Sequence, residues 1–287
     1  MGKRRTRSCS AVHTLTLALL RERFSVRVAN MTSARRLTFS FDRNGVVLPL
    51  VRAGRDSAET MGFALTAMKG ADLAPTPHVP DVFARYEYDA GTRDPEERRA
   101  AYTAWLLSMG YQDLARATRA MLEEAFVYLE VVKLIGSTLS AGQLLNARKV
   151  AGDLRFPVLL DRVNEGLESP LIFAAEMLSL QKVRNCLEHR GGIVGDYDVD
   201  ADGELKLVLP TLVFVAHEGD KEVELYINYY TEKETEVTIK SISRERVYKL
   251  DERIVFSPTD FVEIAHSCRM LADDLREKLP QVVLSTP

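Results

Sequence analysis

Three side chains able to do chemistry together sit within six residues of one another in VRNCLEHRGG (183–192): Arg184, Asn185 and His189. An imidazole gives or takes a proton near neutrality. A guanidinium holds a phosphate and stabilises charge that develops while it is transferred. Lys182 and Arg190 flank the group and add local positive charge. The stretch closes a helical run, so His189 falls in a last turn, where the helix dipole favours a cation. Gly191 or Gly192 supplies the left-handed residue that ends such a helix. On an ideal wheel Asn185 and His189 continue an apolar side shared with Leu171 and Leu178. Phe173, Met177, Leu180, Val183 and Leu187 form the opposite stripe. Arg184 lies about 140° from His189 on that wheel. Arginine's reach, a distorted last turn or a second copy of the helix facing the first would have to close the gap.

The elements that must position these residues are legible from periodicity and punctuation. RLTFSF and VVLPLV (36–51) read as two strands around an Asn44-Gly45 turn. SAETMGFALTAMKG (57–70) reads as a short helix, and residues 71–93, with Pro75, Pro77 and Pro80, read as a connecting loop. Asp94, Pro95 and Glu97 predict a capped helix that Gly110 ends. A second helix is expected over 111–136, and shorter ones near 141–151 and 153–166, with Asp153 as a cap for the latter. Ser169-Pro170 then opens the helix that carries the motif. From residue 204 to about 256 the apolar residues alternate at period two, which predicts about four antiparallel strands. Ser257-Pro258 introduces a final amphipathic helix. The expected fold class is α+β: a mainly α-helical bundle with an N-terminal β-hairpin and an antiparallel β-insert before the last helix. The segments are a basic arm (1–30), a hairpin, helix and Pro-rich loop (31–93), the bundle (94–192), the insert (193–256) and the C-terminal helix (257–287).

Bulk composition narrows the partners. Residues 1–30 hold seven Lys/Arg and one acid, whereas the other 257 residues hold 31 basic and 40 acidic groups. The body therefore carries −9 and is no polyanion binder through net charge; a nucleic-acid site must be a local basic cleft. Three cysteines without paired spacing argue against a disulfide framework and fit a reducing cytoplasm. No apolar run reaches the length of a membrane span. Lys3-Arg4-Arg5 before AVHTLTLALL has the order of a signal peptide, but His13, two threonines and Arg21 interrupt the pattern and no small-x-small cleavage site follows. A basic arm is the expectation, with Met31 as an alternative start.

Arg-Asn, three residues, His and then glycine at a helix end within an α-helical bundle resembles the R-x4-6-H motif of the HEPN superfamily. The resemblance covers the motif and the helical region 94–192, not the hairpin or the insert. It implies a homodimer whose motif helices face each other across a two-fold axis, and a metal-independent endoribonuclease that needs no cofactor. It implies that His189 moves a proton to or from the 2′-hydroxyl or the leaving oxygen, Arg184 binds the scissile phosphate and Asn185 orients the histidine or the substrate. RNA would be the substrate, with Lys182 and Arg190 as added contacts. Toxin–antitoxin and defence roles would bring an antitoxin or regulatory protein as a partner.

Other readings stand beside this one. Arg184 and Glu188 are an i,i+4 ion pair by spacing, and a histidine at a helix end is an ordinary stabilising choice. A catalytically inactive HEPN-like module that binds RNA, nucleotide or protein is the alternative function. DVDADG (198–203) begins like a calcium loop, but Leu209 stands where the twelfth-position acid belongs, so a polar turn into a strand is expected. Cys186 is expected to be a packed thiol. His266 and Cys268, two apart on a helix, point different ways and make no metal site.

Overall fold

The computed structural model describes residues 23–28, 35–40, 42–71, 73, 94–135, 140–218, 221–225 and 236–282. Two strands, β1 (Arg23–Val28) and β2 (Arg35–Ser40), pair antiparallel. Among the described residues six helices follow: α1 (Arg43–Gly70), α2 (Pro95–Val132), α3 (Ala141–Asp153), α4 (Phe156–Gly166), α5 (Ala174–Arg190) and, after the sheet, α6 (Pro258–Lys278). Between α5 and α6 run β3 (Glu204–Glu218), β4 (Lys221–Leu225) and β5 (Val237–Lys249), an antiparallel sheet in the order β4-β3-β5. The fold is α+β, with the sheet inserted before the last helix as expected. No helix among the described residues is long and apolar enough to cross a membrane. The Pro-rich stretch 74–93 and most of the basic arm lie outside the described residues.

The N-terminal hairpin exists, one strand earlier than expected. RLTFSF is its second strand, not its first, and VVLPLV is not a strand but the start of a 28-residue helix. Asp42 decides this. Its carboxylate accepts from the backbone N–H of Asn44 at 2.9 Å and from the Asn44 amide at 2.9 Å, so DRNG is a helix cap and not a hairpin turn. Val46, Val47 and Leu50 then bury one face, with α1 lying against α2 and α6.

α2 also differs from the expectation. Gly110 does not end a helix; it sits inside a continuous one of 38 residues. A Cβ there would lie 2.7 Å from the ring of Phe261, so glycine is required by the closeness of α6 and not by a turn. Asp94 caps α2 as predicted, accepting from the N–H groups of Glu96 and Glu97. Asp153 is the last residue of α3, not the cap of α4, whose N-cap is Arg155.

The sheet has three strands among the described residues, not four. TEVTIKSIS and the start of RVYKLDERIVF fuse into β5, because the alternation runs through Arg244–Arg246 without a break. Arg253 makes only an isolated bridge to Ile193. Leu205, Leu207, Leu209, Val213 and Val215 face the core, while Leu212 and Phe214 face outward. Among the described residues β4 pairs with β3 only from Phe214 onward. Ser179 of α5 meets β3 at Val208: its hydroxyl accepts from Val208 N–H (3.0 Å) and donates to Val208 C=O (3.1 Å). Ser267 of α6 donates to Pro210 C=O at 2.7 Å. Pro210 has no N–H to leave unpaired, so it is tolerated there. Arg246 of β5 pairs with Asp260 and Glu263 of α6, which fixes that helix across the sheet.

Candidate functional site at the end of α5

Four contacts hold the motif helix. Met177, Leu180, Val183, Cys186 and Leu187 are buried in the common core. The Tyr111 hydroxyl of α2 donates to Leu180 C=O at 2.8 Å; burial pushes its pKa well above the ordinary tyrosine value, so it stays a donor. Ser179 ties the helix to β3. At the N-terminal end the expected Ser169-Pro170 start is not used: Ile172 and Phe173 form a turn, and α5 begins at Ala174 with Phe173 in the cap position and no side-chain cap of its own. The cap comes from α6. Asp274, with 4% of its side chain exposed, accepts from Ile172 N–H at 2.9 Å and Phe173 N–H at 3.3 Å, and Lys278 neutralises it at 2.7 Å. Asp274→Ala is expected to cost about 2–4 kcal/mol, because two backbone donors and Lys278 lose a buried acceptor. A urea titration monitored by circular dichroism checks this, and Asp274→Asn should recover part of the loss.

The C-terminal end is fixed by glycine. Gly191 adopts φ +60° and ψ +24°, and the N–H of Gly192 returns to Cys186 C=O at 3.2 Å, closing the helix as expected. Beyond it, Ile254 N–H reaches Gly192 C=O (2.8 Å) and Val194 N–H reaches Glu252 C=O (2.9 Å), so the end of the helix is clamped to the segment after β5.

On this frame the motif residues arrange themselves around one carboxylate. Arg184 Nη2 is in ion-pair contact with Glu188 Oε2, and His189 Nε2 lies 3.8 Å from the same oxygen. Arg184 Nη1 donates to Asn185 Oδ1 at 3.2 Å, and Gln181 Nε2 donates to that oxygen at 3.0 Å. Arg184 Nε is buried with no acceptor, a shortfall that costs about 1–3 kcal/mol. The 140° that separate Arg184 and His189 on a wheel are thus bridged within a single helix by reach: both side chains approach one oxygen. His189 is the exposed member, at 62% of its side chain against 21% for Arg184. Lys182 is exposed, seven residues before His189, and so stands on the same side of the helix.

Arg190 does not join this group. Its guanidinium is held by both oxygens of Asp198, whose side chain is 2% exposed, and Asp198 also accepts from Gly195 N–H at 3.0 Å. Arg190 is a structural latch here and not an added cation at the site. The same pair explains the rest of DVDADG: Asp198 is buried in the latch, while Lys206 lies among Asp200, Glu204 and Asp202, making a polar turn into β3. The Cys186 thiol donates to Ile193 C=O at 3.3 Å, and burial, with Asp198 beside it, pushes its pKa up to about 11. It is a packed thiol. Cys268 is likewise buried, and His266 faces out.

Two residues of the cluster were not among the expected site residues. Gln181 precedes Asn185 by one turn, a spacing readable from the sequence. Glu188 was legible as Arg184's partner but not as His189's. On the Leu187 side of the helix end, a groove of about 830 Å³ runs between Trp105 and Met109 of α2 and Arg253–Val255. Trp105, the single tryptophan, is 62% exposed in it. No family model, curated protein or solved structure matches this chain.

Proposed function

We propose that this protein is a HEPN-like, metal-independent endoribonuclease, cytoplasmic and working as a homodimer across α5, in a toxin or defence role held in check by an antitoxin or regulatory protein. One observation carries the reading: Arg184 and His189 converge on a single anionic oxygen at a helix end. A phosphate oxygen in that place would meet the guanidinium that binds it and the imidazole that moves its proton. In the reaction, the 2′-oxygen forms a bond to phosphorus as the P–O5′ bond breaks. A base takes the 2′ proton and an acid delivers one to the leaving 5′-oxygen. His189 and its copy in the second subunit supply these two roles, because a two-fold axis places two imidazoles in one cleft. Arg184 offsets the charge on phosphorus oxygens, and Asn185 with Gln181 holds Arg184 in line.

The second reading, an inactive module that binds RNA, nucleotide or protein, is favoured by the same ion pair, since Glu188 already neutralises Arg184. Substrate chemistry separates the two. The purified protein should cleave a mixed RNA pool in the presence of EDTA and leave 2′,3′-cyclic phosphate and 5′-hydroxyl ends. The same sequences as DNA, or with 2′-O-methyl groups, should stay intact. Cleavage that stops on chelation, or that cuts DNA equally, rejects the nuclease reading.

A further inference from the structure

We infer that Glu188 is a resident competitor for the phosphate: its carboxylate occupies the anion seat between Arg184 and His189 in the free protein, and substrate must displace it. The inference rests on the nuclease reading above and adds a residue to it.

Glu188 Oε2 is the atom that both side chains share, in contact with Arg184 Nη2 and 3.8 Å from His189 Nε2. A carboxylate oxygen has the charge and the acceptor geometry of a phosphate oxygen, so whatever seats one seats the other. The pair is not a fully exposed surface pair, with 21% and 29% of the two side chains accessible. Arg184 is also incompletely satisfied where it stands, because Nε is buried without an acceptor. Glu188 has no second anchor: every contact the described structure gives it is to these two motif residues. Rotation of its side chain would leave Arg184 on Asn185 and open the seat. Glu188 therefore sets affinity and salt dependence without touching the reacting bonds. It is a positioning residue.

The experiment is a fluorescence anisotropy titration of a short labelled 2′-O-methyl oligoribonucleotide, which binds without being cut. It is run on the full chain as wild type, Glu188→Gln, Glu188→Ala, Arg184→Ala and the Arg184→Ala/Glu188→Gln double variant, after matching melting temperatures. Glu188→Gln should tighten binding about tenfold, the size of one charge-assisted contact freed from competition. Its log–log dependence on salt should steepen by roughly 0.7, one more net phosphate neutralised on a single strand. Glu188→Ala should act in the same direction, and neither change should appear in the Arg184→Ala background. A structural role would give weaker binding and no change in salt slope. If wild type cleaves RNA in EDTA but Glu188→Gln binds equally or less well, the competitor role fails and the nuclease reading stands. If neither wild type nor any variant binds the oligonucleotide and wild type does not cleave RNA in EDTA, both fall.

Discussion

His189→Ala should remove RNA cleavage by about 10²- to 10⁴-fold, the range for loss of a positioned proton-transfer group, with the melting temperature left where it was. The two halves of this expectation come from one fact. His189 is 62% exposed, and among the described residues its side chain has a single polar neighbour, Glu188 at 3.8 Å. It fills no core position and caps no backbone group, so its removal belongs with surface changes that shift stability by about 0.5 kcal/mol or less. An exposed helix-end histidine that stabilises only through the dipole would show the reverse: a small stability loss and unchanged cleavage. Arg184→Ala is distinguishable from it. Arg184 is largely buried and contacts Asn185 and Glu188, so its loss should raise KM as well as lower kcat, while His189→Ala should act mainly on kcat. Single-turnover cleavage at saturating RNA, with melting curves on the same fractions, reads both.

What could be read ahead of the structure depended on whether the signal was local. The last helix was legible because Ser257-Pro258 opens it locally, and Ser257 and Asp260 cap each other reciprocally. The end of α5 was legible because left-handed backbone demands glycine, and Gly191 takes it. The long first sheet strand was legible from its alternation. Residues 46–51 misled because VVLPLV is rich in β-branched residues, whereas the decisive fact, burial of Val46, Val47 and Leu50 in an α-helical bundle, is tertiary. Gly110 misled for a similar reason: its cause is the Phe261 ring, 151 positions away in sequence. At the candidate site, the i,i+4 pairs Arg184–Glu188 and Gln181–Asn185 follow from spacing alone. Asp274 capping a helix from a hundred residues downstream does not. Nor does the approach of Glu188 to Arg184 and His189 at once, since adjacent residues point about 100° apart and only side-chain length brings His189 back.

Arg190 is the case in which sequence and structure disagree most usefully, and it yields the largest stability effect. As a cation beside a proposed RNA site it would be expected to contribute to binding. Its guanidinium instead closes on both oxygens of Asp198, and Asp198 is buried to 2% exposure. Arg190→Ala should therefore cost about 3–5 kcal/mol, because the carboxylate keeps the Gly195 N–H but stays desolvated without its counter-charge. Replacing both partners by apolar residues of similar volume, Arg190→Met with Asp198→Leu, should recover much of that loss, since the expense lies in the orphaned charge and not in the absence of the pair. The latch also joins the last turn of α5 to the segment that leads into β3, so its failure should loosen the Gly191–Gly192 cap and the Val194–Glu252 clamp first. Hydrogen exchange at Gly192 and Val194 in Arg190→Ala, beside a urea titration, tests both the magnitude and the place. A variant that loses RNA affinity while keeping wild-type stability would return Arg190 to the binding surface and rule out the latch.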